Sequence, residues 1–416
     1  MGRRAAWWDA ALYGVCALTA LGVWGYSATP IHREWAALAA PMYALGTLGA
    51  LGLARLAPRP GPRLVLAVAV FAAVALSPLW VQVSRRAATD AGLHAQSEVI
   101  VTEEAARALL AARNPYAERF DGPLADRPPA QRRHFPYGPG MLAFGVPRAL
   151  GVGLPLGDAR LWFAGAAVAV AGWALAAWRG SLARKVLLVQ VLGVLPTSAL
   201  LLATGGHDLP VVALMLLAAV LLAEGRPGPA GVALGLAALT KQTAWVLVPF
   251  LLVAAATSQG REAGARFLAN VALAALPATA LFAAWDPPAF VEDTVLFPLG
   301  VGQNPSPAET LTIGRALVHL FPGLRPAITA ALMAAVAAVA LWLLLRRPRS
   351  VARGCLDAGV VAWLAVWLAP SSRVGYLIYP LNLLAWGLAL GAVPVGALAV
   401  RRRSRVPADG GRGGPP

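Results

Sequence analysis

Eleven long apolar runs, separated by polar connectors, constrain the fold of this chain more than any other feature. Most are about 20 residues long, which is the length an α-helix needs to cross a hydrocarbon core of ~30 Å. Because backbone polar groups in lipid must be satisfied internally, such runs predict an all-α, polytopic membrane bundle. Since a second run follows the first at once, we expect the first to be an uncleaved span. The runs lie near 7–28, 35–56, 63–83, 158–178, 185–203, 207–223, 228–256, 263–285, 324–345, 354–369 and 375–399.

The composition supports a membrane protein and argues against a nucleic-acid-binding one. Hydrophobic residues make up 58% of the chain and charged residues 13%, whereas soluble domains carry about 25% charged residues. The net charge of +16 would suit nucleic acid, but the arginines are clustered in short connectors, as in cytoplasmic loops. Cys16 and Cys355 lie in or beside apolar runs, so no disulfide framework or metal site is indicated.

The short basic connectors predict the orientation of the bundle. The positive-inside rule places loops of this kind in the cytoplasm. Both termini are therefore expected in the cytoplasm, with the chain spanning the plasma (inner) membrane. The basic residues concerned are Arg3, Arg4, Arg55, Arg59, Arg63, Arg179, Arg184, Lys185, Arg226, Arg261, Arg266, Arg346, Arg347, Arg349, Arg353, Arg401, Arg402, Arg403 and Arg405.

The run 228–256 fits this orientation only if it is a hairpin. A single span would put either Arg226 or Arg261 outside. A break at the sequence "TKQT" keeps both inside and places Lys241 and Gln242 at the external tip. It also removes a lysine from mid-membrane, where its charge would cost about 3 kcal/mol. The expected bundle therefore has about 11–12 transmembrane helices.

The expected organisation is a single transmembrane domain over 1–405, followed by a tail at 406–416. The tail is rich in glycine and proline, so we expect it to be disordered. The segment 84–157 forms a large extracytoplasmic loop. Because the external connectors carry mixed polar chemistry and the cytoplasmic ones carry mainly arginine, a functional site is expected outside. The alternative is that these are ordinary polar loops.

The large loop contains one helical segment and two turns. Apolar residues recur at helical spacing over 99–113, which predicts an amphipathic helix on the membrane surface or packed against the spans. An Asn-Pro-Tyr turn ends this helix and fixes Asn114 and Tyr116. The second turn, "HFPYGPG", presents His134 and Tyr137.

Three stretches resemble a known family. They are "SEVIVTEEAARALLAARNPY", "FPYGPG" and "GLAALTKQTAWVLVPFLL". Together they resemble the polyprenyl-phosphate-sugar-dependent membrane glycosyltransferases of the GT-C class, especially the mannosyltransferase-like family 87. The resemblance covers most of 84–256. The chain departs from the family pattern at Gly138, which replaces a proline, and in two extra spans before the large loop.

The resemblance implies a GT-C type bundle with an external interfacial helix and an inverting hexosyltransferase activity. A mannose-like sugar would pass from a polyprenyl-phosphate donor to a lipid or glycan acceptor on the extracytoplasmic face. The partners would be that donor and membrane lipid, in the cell envelope. No cofactor is implied, and a divalent cation is left open. The sequence indicates no metal site, no phosphate-cradling glycine loop and no Asp-x-Asp pair in the large external loop.

Transfer from a lipid phosphate needs a carboxylate to accept the acceptor's proton and cations to stabilise the departing phosphate. Asp90, beside the third run, is the expected base, with Glu103 and Glu104 as reserve acids. A solvated aspartate and helix-dipole partners are the alternative interpretations of these acids. Lys241 and Arg373 are the expected phosphate ligands, although an interfacial anchor would equally explain Arg373.

The other expected pocket residues are polar or aromatic groups of the external segments. His207 and Asp208 could contact sugar hydroxyls or cap the helix that follows. The full set of pocket residues is Asn114, Tyr116, His134, Tyr137, His207, Asp208 and Gln242.

Two other classes of function stay open. A transporter or lipid flippase would also contain a broken helix with polar residues, as around Lys241. A non-catalytic membrane assembly factor would have no polar cavity. A cavity open to the external interface favours the transferase, whereas a central two-sided pathway favours the transporter.

Overall fold

The computed structural model describes residues 2–56, 59–89, 94–304, 308 and 310–391. These residues form helices and connecting turns, and contain no β-strand. The expected base Asp90, the expected tail 406–416 and the end of the last apolar run lie outside the described residues.

Twenty α-helices follow one another along the described chain. The first ten are α1 (Gly2–Tyr26), α2 (Pro30–Arg55), α3 (Pro60–Phe71), α4 (Ser77–Thr89), α5 (Ser97–Leu110), α6 (Pro129–Arg132), α7 (Val146–Ala149), α8 (Ala159–Ala177), α9 (Leu182–Val189) and α10 (Pro196–Thr204). The next ten are α11 (Asp208–Ala223), α12 (Pro227–Thr240), α13 (Leu247–Gln259), α14 (Arg261–Trp285), α15 (Pro287–Val291), α16 (Phe297–Leu299), α17 (Ile313–Leu320), α18 (Arg325–Leu345), α19 (Val351–Leu368) and α20 (Ile378–Gly391). Short π-helical and 3₁₀ turns join several of them at Ala72–Leu76, Pro139–Phe144, Gln190–Val194, Gln242–Val246, Glu292–Leu296, Pro322–Leu324 and Val374–Leu377.

Among the described residues, nine helices are long and apolar enough to cross a membrane. A tenth crossing is the pair α9 and α10, bent by 46° at Pro196, whose ring cannot continue the hydrogen-bond ladder. Two shorter apolar helices, α11 and α12, also pack in the bundle. The chain is therefore a multi-pass membrane protein with an all-helical bundle, which confirms the predicted fold class.

The bundle has two unlike ends. The loop end carries the segments 94–158, 205–207, 286–304, 310–324 and 369–373, whereas the connector end carries the short turns of the chain. Contacts between turns define the connector end: Gln259 Nε2 donates to Leu222 O at 2.7 Å, and Thr257 Oγ1 donates to Pro348 O at 2.7 Å.

The run 228–256 is divided into two helices. α12 ends at Thr240, and Lys241 has an extended backbone, with φ −153° and ψ 139°. Since Gln259 at the end of α13 contacts Leu222 at the end of α11, α13 returns to the connector end from which α12 started. Glycines with positive φ make the sharp turns there, Gly225 at 77° and Gly260 at 100°, because the missing Cβ permits this conformation. The break lies where the sequence predicted a hairpin.

Two helices shape the space around the site. α11 is buried on nearly every face, as expected for a helix that is apolar all round and lies in the core of the bundle. α5 packs beneath the 139–149 segment and against the start of α8. The expected helix was 99–113. α5 begins two residues earlier, at Ser97, and ends three residues earlier, at Leu110. The reason for the early end is Ala112, whose φ of 55° breaks the helical ladder.

Candidate active site

The break before Lys241 is fixed by a close contact with the Pro-Tyr-Gly-Pro turn. Gly138 N donates to Thr240 O at 3.1 Å, so the last residue of α12 is bonded to this turn. A Cβ on Gly138 would lie 2.0 Å from Leu239 O, which leaves no room for any side chain. A proline would also lack the N–H that Thr240 accepts. Gly138, where the chain departs from the family pattern, therefore has to be a glycine, because the backbone packing that positions Lys241 leaves no space for a side chain.

Lys241 lies in a buried cluster with Asp208. Its Nζ is 2.5 Å from Asp208 Oδ1, and the same carboxylate accepts a hydrogen bond from the Tyr379 hydroxyl. His207 Nε2 is 3.2 Å from Asp208 Oδ2. Asp208 is the first residue of α11, and no side chain caps that helix. The carboxylate is thus bound to a cation and a hydroxyl and does not cap the helix.

Arg373 forms a second ion pair, with Glu98 in the first turn of α5. The Glu98 side chain is mostly buried, with 15% of its surface exposed. Burial alone would raise the pKa of this carboxyl, but the charge of Arg373, the interaction with His207 and hydrogen bonds together outweigh it and lower the pKa to about 2. Glu98 is therefore a carboxylate throughout the physiological pH range.

Both ion pairs line one cavity of about 360 Å³ at the loop end. Between them lies Tyr137, whose ring centroid is 5.0 Å from that of His207 and 5.6 Å from Lys241 Nζ. One wall is apolar and consists of small side chains of α19 and the residue after it, namely Ala362, Ala365, Val366 and Ala369. The cavity can thus hold a ligand with an anionic group, polar groups and an apolar part.

His134 and Gln242 line the cavity and also bind the 292–297 segment at its edge. His134 Nδ1 is 2.6 Å from Asp293 Oδ1, and its ring stacks on Phe297 with centroids 4.1 Å apart. Burial raises the pKa of the Asp293 carboxyl. Gln242 Nε2 donates to Thr294 O at 3.0 Å. These contacts attach the 292–297 segment to the loop end.

Asn114 and Tyr116 lie beneath the loop, outside the cavity lining. The Tyr116 hydroxyl donates to Tyr137 O at 2.9 Å, and its backbone N donates to Asn114 Oδ1 at 3.0 Å. The Tyr116 ring packs edge-on against Phe135. The Asn-Pro-Tyr turn therefore supports the backbone of Tyr137 from behind.

The two reserve acids lie outside the cavity lining as well. Glu103 pairs with Arg86 at 2.7 Å, and Glu104 pairs with Arg107 at 2.5 Å. Within the described ranges, no group of three or more His, Cys, Asp or Glu side chains could hold a metal ion.

Nine polar residues of the cavity were not identified from the sequence. All line the same space as the predicted Lys241 and Arg373, and no local pattern marks them. They are Gln96, Ser97, Glu98, Gln131, Thr243, Ser371, Ser372, Tyr376 and Tyr379.

Comparison with known proteins gives the family. The model of glycosyltransferase family 87 matches residues 135–371, which is more than half of the chain. The chain belongs to this family. The matched region of the family 87 protein includes His207, Asp208 and Lys241, and it begins after α5.

One solved structure is similar in fold, the crystal structure of ArnT from Cupriavidus metallidurans in the apo state. The two share 16% sequence identity with a TM-score of 0.43, over 81% of this chain and 62% of that chain. The family 87 chain thus spans less than two thirds of the length of ArnT. No curated protein gave a significant match.

Proposed function

We propose that this family 87 glycosyltransferase moves a mannose-like sugar from a polyprenyl-phosphate donor to a lipid or glycan hydroxyl. The observation that carries the proposal is the cavity at the loop end, where Lys241 and Arg373 are each paired with a carboxylate. Two cations suit the binding of a lipid phosphate, and a carboxylate suits the acceptance of a proton.

The proposed reaction is a single displacement with inversion. The acceptor oxygen forms a bond to the anomeric carbon as the bond from that carbon to the phosphate oxygen breaks. The phosphate leaves with the electron pair, and Lys241 and Arg373 stabilise its charge. The acceptor's proton passes to a carboxylate. Since phosphate leaves readily, no second acid has to protonate it, unlike in glycoside hydrolysis.

Among the described residues, Glu98 and Asp208 are the carboxylates that line the cavity. Asp208 is held by Lys241, Tyr379 and His207, whereas Glu98 is held by Arg373. We therefore assign the proton acceptor to Glu98. Asp90 stays the candidate predicted from sequence, to be compared with Glu98 by mutation.

In the proposed orientation, the cavity faces the extracytoplasmic side and both termini lie in the cytoplasm. The support is the positive-inside rule applied to the basic turns of the connector end, such as 346–349. A donor phosphate at headgroup depth would then meet the cavity from the outer leaflet. The alternative of an assembly factor predicted no polar cavity, and this chain has one.

Membranes containing the wild-type chain, incubated with labelled polyprenyl-phosphate mannose or polyprenyl-phosphate glucose, test the proposal. We expect label to pass into a lipid or glycan product, and Lys241→Ala to abolish most of this transfer. Lys185→Ala is the matched control, because Lys185 is the only other lysine in the chain and lies at the connector end. If the wild type transfers no label from either donor but moves labelled lipid between leaflets, the chain is a transporter.

A further inference from the structure

Two serine hydroxyls in the wall of the cavity have no hydrogen-bond partner. Ser371 is 5% exposed and Ser372 is 1% exposed, and the Oγ atom of each is buried without a partner in the described part of the chain. Both residues line the cavity. Buried polar atoms are nearly always paired, because an unpaired one costs free energy. An unpaired hydroxyl on a residue that lines a cavity therefore suggests a ligand that would bind to it.

The backbone N and O of Ser372 are both hydrogen-bonded. Ser372 N donates to Ala308 O at 3.2 Å, and Thr310 N donates to Ser372 O at 3.0 Å. Val374 N donates to Thr310 Oγ1 at 3.1 Å. These bonds hold the backbone of Ser372 in place, so the group of Ser372 that lacks a partner is its side chain.

The surroundings of the two hydroxyls favour an anion. Arg373 follows directly in the chain and lines the same cavity. Arg325 lies near Ser371: a Cβ on Gly300 would be 2.9 Å from Arg325 Nη2 and 2.3 Å from Ser371 Oγ. Guanidinium groups are donors only, and hydroxyls donate readily to the oxygen atoms of a phosphate. A sugar hydroxyl would also bond to serine, but a phosphate additionally brings negative charge next to Arg373, whose carboxylate partner is Glu98.

We propose that Ser371 and Ser372 donate hydrogen bonds to the phosphate of the lipid-linked donor, beside the guanidinium of Arg373. The inference rests on the proposed function, and it assigns the phosphate to the junction between α19 and α20. Substitution of either serine by alanine removes an unpaired group, so the empty protein keeps its stability or gains some. Donor binding, in contrast, loses a hydrogen bond to a charged group, which weakens affinity by about tenfold for each hydroxyl.

The test measures the binding of two probes to the full chain in lipid nanodiscs, together with thermal unfolding of the empty protein. The probes are polyprenyl phosphate without sugar and polyprenyl-phosphate mannose. The variants are Ser371→Ala, Ser372→Ala and the double substitution, and the singles suffice if the double variant does not fold. Ser198→Ala is the matched control, because Ser198 is equally buried but its Oγ donates to Val191 O at 3.1 Å.

We expect the serine variants to bind both probes more weakly while they unfold at the wild-type temperature or above, and Ser198→Ala to bind both normally. Weaker binding of the mannose-bearing probe alone would overturn the assignment, because the hydroxyls would then contact the sugar. Unchanged binding of both probes would overturn it as well, with the proposed function intact. If the wild type binds neither probe, the proposed function itself fails, and the inference fails with it.

Discussion

Two buried clusters of charged side chains lie at the loop end, and both include a glutamate of α5. The closed cluster consists of Arg86, Glu103, Asp158 and Arg160. Arg86 is 2.7 Å from Glu103 and 2.9 Å from Asp158, and Arg160 is 2.8 Å from Asp158. Burial would raise the pKa of the Asp158 carboxyl, but the charge of Arg160 lowers it to about 2. No side-chain atom of this cluster is buried without a partner.

The open cluster consists of Glu98, Arg373, Asp208 and Lys241. It has the same kinds of ion pair as the closed cluster, but it borders a cavity of about 360 Å³ and unpaired polar atoms such as His207 Nδ1. Charge and burial are common to both clusters. Space and unpaired polar atoms distinguish the open one, so those features identify the site. A lowered pKa does not identify it, because structural ion pairs lower pKa values too.

The largest expected effect is on the rate of transfer, and it follows from removing the Glu98 carboxylate of the open cluster. Glu98→Gln keeps the shape of the side chain but removes the proton acceptor, so turnover should fall by about 10²–10⁴-fold. Donor binding should persist. The assay is the rate of label transfer at saturating donor, with Asp90→Asn measured in parallel. A normal rate for Glu98→Gln together with a loss for Asp90→Asn would give the role to Asp90, as the sequence predicted.

The next effect concerns the closed cluster and is on stability. Arg86→Met would leave Glu103 and Asp158 short of a positive partner inside the protein, which should cost about 3–5 kcal/mol of unfolding free energy. Unfolding in detergent and the yield of folded protein measure this loss. Arg85→Met is the control: its side chain is 51% exposed, and an exposed ion pair is worth about 1 kcal/mol or less. Equal unfolding of the two variants would show that the closed cluster does not stabilise the fold.

A smaller effect, on donor affinity, tests whether Lys241 of the open cluster binds the donor phosphate or has only a structural role. Lys241→Ala should weaken donor binding by on the order of 1.5–3 kcal/mol, the contribution of a hydrogen bond to a charged group. Asp208 keeps Tyr379 and His207 as partners, so the fold should persist. Titration with polyprenyl phosphate gives the affinity. Unchanged affinity would mean that Lys241 only neutralises Asp208.

The smallest effect concerns the support beneath the site. Tyr116→Phe removes the hydrogen bond to Tyr137 O, which should lower the unfolding free energy by about 0.5–1.5 kcal/mol. Thermal unfolding measures it, and donor affinity should stay close to that of the wild type. A large loss of affinity with unchanged unfolding would instead place Tyr116 in the binding site.

The fold was predictable because its determinants are local in sequence. Apolar runs of membrane-spanning length predicted the multi-pass helical bundle, although the described residues contain nine or ten helices of spanning length where about 11–12 were expected. These runs also predicted the break before Lys241, since a charged residue and two basic flanks cannot be reconciled with one span. The ends of α5 were less predictable, because a left-handed residue such as Ala112 leaves no mark in the apolar pattern.

The site was less predictable because its partners are distant in sequence. Glu98 and its partner Arg373 are 275 residues apart, and no pattern within α5 separates Glu98 from the other acids of that helix. Only the packing decides which acid faces the cavity. Glu98 and Glu103 are five positions apart on α5, so at 3.6 residues per turn they point to different faces, one toward the cavity and one toward α8.

The most direct test of this account compares one substitution at two positions of one helix, Glu98→Gln and Glu103→Gln. For each variant, the thermal unfolding temperature and the transfer rate per folded molecule are measured. We predict that Glu98→Gln loses transfer even in the folded molecule, and that the loss of its ion pair with Arg373 also lowers its unfolding temperature. Glu103→Gln, with Arg86 and the backbone N of Ala159 as partners, should unfold at a lower temperature but transfer sugar normally while folded. The reverse result, with normal transfer by folded Glu98→Gln and lost transfer by folded Glu103→Gln, would contradict the account.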